Sequence, residues 1–126
     1  MSIESVLSTI GELHRVERAV NGLLVKTHCM YPDFERVTVV VNDHGISGFV
    51  ISDDRRAAKV LRHLDEEPRS KALSKASGKF RVHEYHGALF SEAEDLVKLN
   101  THILLVANAS AFAAWTALEH EATNGN

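Results

Sequence analysis

Apolar residues recur along this chain first at helical and then at strand-like spacing, and the changes of period mark out its elements. Ile3, Val6, Leu7, Ile10, Leu13 and Val20 fall at helical intervals, with Glu4, Glu12, Arg15, Glu17 and Arg18 mainly between them. This pattern predicts an amphipathic N-terminal helix over about residues 3 to 20. Asn21-Gly22 supplies a stop, since glycine accepts the left-handed conformation that ends helices. LLVKTHC then reads as a short strand or as continued helix, and Tyr31-Pro32-Asp33 as a turn.

Arg36 to Val41 is nearly all β-branched, Asn42-Asp43-His44-Gly45 carries turn chemistry, and Ile46 to Ile51 returns with strand character, which together predict a hairpin. Val37, Val39 and Val41 share one face and Thr38 and Val40 the other, so this strand is expected to be central, with helices or a partner subunit shielding it. Ser52-Asp53-Asp54 offers capping oxygens to a middle helix striped by Ala57, Val60, Leu61 and Leu64. Glu66-Glu67-Pro68 is expected to close or kink it. Residues 69–78 add a further helical turn or two before Gly78, and Lys79 to His86 alternates as a third strand.

Ser91, with Glu94 three residues later, forms a capping box that predicts a C-terminal helix from 92 to about 121. Leu96, Leu99, Ile103, Ala107, Ala114 and Leu118 are among its core positions. THILLVAN has a strand-like composition, but alanine-rich sequence continues beyond it with no Gly or Pro, which favours one unbroken helix. The expected fold class is therefore α+β: a small antiparallel sheet of three to four strands packed with an N-terminal helix, a middle helix and a long C-terminal helix. One domain over residues 1–122 with a frayed tail at 123–126 suits a chain of 126 residues.

Composition narrows the class further. With 44% hydrophobic and 25% charged residues, the chain is neither a disordered tail nor a disulfide scaffold. Its single cysteine, Cys29, excludes an intrachain disulfide and a multi-thiolate metal centre, and fits a reducing cytoplasm. The start MSIESVLSTIGELHR has no basic region before its apolar residues, unlike a secretory signal. Between Lys98 and Glu119 no charged residue occurs, a span long enough to cross a bilayer. Asn100, Thr101, His102, Asn108, Ser110 and Thr116 interrupt it, and alanine fills much of the rest, so a buried or self-associating helix is expected, with no membrane.

Charge is segregated. Residues 1–54 carry four cations against eight acids, residues 55–81 nine against three, and residues 82–126 one against six. Arg69 to Arg81 contains no acid at all. Clustered Lys and Arg raise the local potential and attract phosphates or acidic surfaces, more weakly as salt is added. Arg55, Arg56, Lys75, Lys79 and Arg81 are the candidate anion contacts, with Phe80 and Tyr85 the adjacent stacking candidates. Lys75-Ala76-Ser77-Gly78-Lys79 is not a P-loop, because its glycine spacing is wrong. The net charge of −3 and 6% aromatic content argue against nucleic acid as the partner.

No complete catalytic set, metal-ligand spacing or cofactor signature emerges from the eight histidines, the lone cysteine or the serines. No catalytic residue, metal or cofactor is therefore assigned. Glu84 and His86 share a face of the expected third strand and could act as an acid/base pair only by lining a pocket. In the C-terminal helix, Ala107, Ala111, Ala114 and Trp115 are read as a self-association surface, and His102 and Asn108 as polar groups that fix register. The function this supports is a non-enzymatic interaction protein, a small regulator or inhibitor that binds a macromolecular partner as a homodimer. The alternative is a nucleotide or other phosphate-bearing ligand bound by the basic segment 69–81.

Overall fold

The computed structural model describes residues 3–11, 14–19 and 22–124, the side chains of residues 3, 4 and 120–124 excepted. The chain is α+β, built on one antiparallel sheet and four helices. In chain order these are α1 (Ile3–Gly11), β1 (Arg15–Ala19), β2 (Gly22–Met30), β3 (Arg36–Asp43), β4 (Phe49–Ser52), α2 (Arg56–Val60), α3 (Glu66–Phe80), β5 (His83–Tyr85), β6 (Ala88–Ala93) and α4 (Leu96–Asn124). The sheet has six strands rather than three to four, in the order β1-β2-β3-β4-β6-β5, with every neighbouring pair antiparallel.

Two strands escape the hydrophobic pattern for different reasons. Arg15–Ala19 pairs with Gly22–Lys26, so the N-terminal helix ends at Gly11 and not near residue 20. Only Val16 of this strand is partly buried, and a single apolar residue fits a helical stripe as readily as a strand. Leu13 and Val20, which extended that stripe, lie outside the described residues. In β6 the inward positions are Leu89, Ser91 and Ala93, so alternation is masked by a serine and an alanine. Ser91 consequently caps no helix. Its hydroxyl meets His102 Nδ1 at 2.6 Å, while Asp95 Oδ1 accepts the Lys98 N–H at 3.1 Å and opens α4.

The middle helix is also two helices. Asp54 and Arg55 have φ of 52° and 62°, α2 spans only five residues, and Glu66-Glu67-Pro68 opens α3 instead of closing its predecessor. Proline costs little there because the N–H groups of a helix's first turn have no intrahelical carbonyl to bond, and the two glutamates complement the helix dipole. α3 passes through Gly78 to Phe80 and stops at Arg81, which is left-handed with φ 56°. The third strand therefore begins at His83. The hairpin of β3 and β4 forms as its pattern predicts, except that Gly45–Ser47 is a 3₁₀ turn and Ile46 is fully exposed.

α4 is unbroken over 29 residues. Leu99, Ile103, Val106, Ala107, Ala113 and Ala114 are buried with Val25, Val37, Val39, Phe49, Ile51 and Leu89 in one hydrophobic core. Alanines on the inner side let the helix lie close to the sheet. The opposite sheet face, with Leu24, Thr38, Val40 and Val50, is only half-buried within this chain, so the chain's own helices do not fully shield β3 on that side. α4 is helical through Asn124, and residues 125–126 of the expected tail lie outside the described residues.

Candidate anion-binding groove

The β4–α2 connection is organised by Asp53, which is fully buried. Its Oδ1 accepts N–H bonds from Arg55 at 3.0 Å and from Leu89 at 2.9 Å. Its Oδ2 accepts the Ala57 N–H at 3.2 Å and the Ser110 hydroxyl at 2.8 Å. Ser110 Oγ also lies 2.7 Å from the Tyr31 hydroxyl. One carboxylate thus joins the β4–α2 loop to β6 and, through Ser110, to α4 and the turn after β2. Burial pushes the Asp53 carboxyl above its ordinary value, while the four hydrogen bonds act in the opposite direction. Burial likewise pushes the Tyr31 phenol upward, against the bond to Ser110.

This anchoring holds a left-handed pair, Asp54 and Arg55, that a non-glycine sequence adopts only at a cost of about 1–2 kcal/mol per residue. A second left-handed turn stands nearby: His86 and Gly87, with φ of 50° and 88°, join β5 to β6. A Cβ on Gly87 would meet the Ala58 side chain at 3.3 Å, so this hairpin tip sits directly on α2. Both turns border the same groove, of about 490 Å³, which is lined by Arg55, Lys59 and Arg62 on one wall and by Arg69, Glu84 and His86 on the others. Glu66 and Ser70 complete its α3 side.

Four cations from three segments therefore converge on one recess. Among the described residues Lys98–Glu94 is the only ion pair, so Glu66 and Glu84 share the groove without neutralising these cations at contact distance. Such a recess can hold a phosphate or carboxylate group through charge-assisted hydrogen bonds, with Arg providing planar, bidentate donors. Glu84 and His86 do line it together, and among the described residues no hydrogen bond orients either side chain.

Of the anion contacts and stacking candidates singled out from sequence, only Arg55 reaches the groove wall. Arg56 is half-buried, with its Nε enclosed and unpartnered among the described residues. Lys75 and Lys79 occupy the side of α3 away from Arg69, where Lys79 Nζ lies 4.8 Å above the Phe112 ring. Phe80 packs edge-to-face on Phe112 at 5.6 Å. Arg81 ends α3, and Tyr85 packs edge-on against His86 at 4.2 Å while remaining 67% exposed. Lys59, Arg62 and Arg69 are the residues sequence reasoning passed over. The signal that could have found them is helical phase across residues 55–70, once the break at residues 61–65 is known.

The self-association residues divide in a similar way. Ala107 and Ala114 are buried inside the core, Ala111 is partly buried against it, and only Trp115 is 43% exposed. Their small side chains serve the packing of α4 within its own chain. No group of three or more His, Cys, Asp or Glu side chains that could hold a metal ion occurs among the described residues. A second recess, of about 320 Å³ between α1 and the β1–β4 end of the sheet, is mainly apolar and offers just Arg18 and Asp43 as charged groups.

Comparison with protein-family models, curated protein sequences and solved structures gives no match to this chain.

Proposed function

We propose that this protein is a non-enzymatic interaction protein, a small regulator or inhibitor that occupies an acidic surface of a macromolecular partner through the groove between α2, α3 and the β5–β6 turn. The observation that carries this reading is the convergence of Arg55, Lys59, Arg62 and Arg69 on one recess, none of them in an ion pair with a described residue. Unneutralised cations held on short helices and anchored turns present their charge outward at little conformational cost.

A second reading, capture of a small phosphate-bearing molecule such as a nucleotide, is favoured by the volume of the groove. About 490 Å³ falls within the range of small-molecule sites. Fluorescence anisotropy with a labelled oligo-glutamate peptide and, separately, a labelled nucleotide distinguishes the two. Arg62→Glu/Arg69→Glu should abolish binding of whichever probe is recognised. Lys71→Glu/Lys75→Glu makes the same change in net charge on the far side of α3 and should leave most of it. Equal losses from both pairs would reduce the effect to net charge and overturn the groove assignment.

A further inference from the structure

The recess between α1 and the β1–β4 end of the sheet shares no lining residue with the groove. Residues paired across a ladder point to the same face of a sheet. Arg18 pairs with Leu23, which pairs with Val41, and Asp43 pairs with Phe49. Leu23, Val41 and Phe49 are buried, so Arg18 and Asp43 stand on the face that the helices cover. No other inward position of β1 to β4 is charged. Both side chains are exposed at the mouth of the recess, and among the described residues neither forms an ion pair. Asp43 Oδ1 accepts the Gly45 N–H at 2.8 Å, which leaves its Oδ2 open. At ordinary sheet spacings, two strands and two residues set their Cα positions about 12 Å apart. A ligand that carries both charges closes that gap.

We propose that this recess binds a free α-amino acid with a large apolar side chain, such as leucine or phenylalanine. Arg18 takes the carboxylate through its planar pair of donors, and Oδ2 of Asp43 takes the ammonium group. The ligand's side chain lies against Val6, Leu23, Val41 and Phe49, which supply the apolar lining. Each charge excludes a simpler occupant. A fatty acid sets its carboxylate near that of Asp43, an amine leaves the guanidinium without a counter-charge, and a nucleotide offers its phosphates to Asp43 and its polar atoms to an apolar wall. The volume of about 320 Å³ stands at the small end of ligand sites, in keeping with a ligand of one residue's size. This site is independent of the groove and of the function proposed for it.

Isothermal titration calorimetry on the full chain compares leucine and phenylalanine with isocaproate, which is leucine without its ammonium group, with isopentylamine, which lacks the carboxylate, and with glycine. Both apolar amino acids should bind, each single-charge analogue about tenfold or more weakly, and glycine not measurably. Arg18→Gln should weaken leucine by about tenfold or more while leaving isopentylamine unchanged. Asp43→Asn, which keeps an acceptor for the Gly45 N–H, should weaken leucine and strengthen isocaproate. Both positions are exposed, and an unchanged circular dichroism spectrum confirms that each variant folds. Absence of heat from either apolar amino acid at millimolar concentration, isocaproate binding as tightly as leucine, or leucine binding undiminished in Arg18→Gln would each overturn the proposal.

Discussion

Asp53→Ala is the substitution that most directly tests how the groove is held. Four donors converge on the carboxylate: the N–H groups of Arg55, Ala57 and Leu89 and the hydroxyl of Ser110. Ser110 can turn to Tyr31, which lies 2.7 Å away, and the Arg55 N–H is only partly enclosed. The N–H groups of Ala57 and Leu89 have no such recourse. Each buried donor left unpaired costs about 1–3 kcal/mol, so the pair sets a loss of about 2–6 kcal/mol. Asp53→Asn keeps one acceptor oxygen for the Arg55 and Leu89 N–H groups, both of which reach Oδ1, and sets its NH₂ against the Ala57 N–H. One unmet donor, about 1–3 kcal/mol, is then expected.

Urea unfolding followed by circular dichroism at pH 7 should rank wild type above Asp53→Asn and Asp53→Ala lowest, with similar denaturant slopes. pH supplies an internal check. Because burial raises the Asp53 carboxyl above its ordinary value of 3.8, the folded state binds this proton more readily than the unfolded chain. Stability from this group is complete below 3.8 and declines as pH climbs through the raised value. Asparagine lacks that titration, so the advantage of wild type over Asp53→Asn should shrink as pH rises. An Asp53→Ala protein within about 0.5 kcal/mol of wild type, the range of an ordinary surface change, would refute the reasoning.

Two further substitutions probe the same physics elsewhere. His14 is buried, both ring nitrogens lack partners among the described residues, and burial followed by the nearby His28 lowers its pKa below 6.5. Its contribution to stability is present above that value and lost as pH falls through the folded one, so His14→Phe should flatten the acid limb of a melting-temperature profile below pH 6.5, and an unchanged limb would clear His14 of any part in it. His86→Gly relieves a left-handed residue and should raise stability by about 0.5–1 kcal/mol while weakening the binding of the groove's probe. Gain of stability without loss of binding would mean that the strained turn does not serve the ligand.

Much of the architecture could be read from residue pattern alone, and the failures have specific causes. α4 was legible because twenty residues without charge, Gly or Pro leave few alternatives to a helix, and β3 because five β-branched residues in a row leave few alternatives to a strand. β1 and β6 were hidden because their inward positions hold Val16 in one case and Ser91 and Ala93 in the other, too little apolar surface to set a period. The candidate site was legible as a concentration of charge but not as a place. Residues 69–78 read as only a helical turn or two, and Lys79 as the start of a strand. On a helix the same residues diverge, Arg69 into the groove and Lys71 and Lys75 to the far side. Asp53 was visible as a source of capping oxygens. Its bonds to Leu89, 36 positions away, and to Ser110, 57 away, exist only once the sheet and α4 have assembled.

Those distant bonds explain why strain and charge are found together. Oδ1 of Asp53 takes both the Arg55 N–H from one left-handed turn and the Leu89 N–H from the strand that follows the other. The two turns are thereby fixed relative to one another by a single buried atom. Left-handed non-glycine residues persist only where surroundings over-determine them, and here the surroundings include α4, whose Ser110 holds the same carboxylate from below. The inner side of α4 is thereby tied, through Ser110, to the turns on either side of the groove. One buried carboxylate thus couples the position of α4 to the geometry of both left-handed turns.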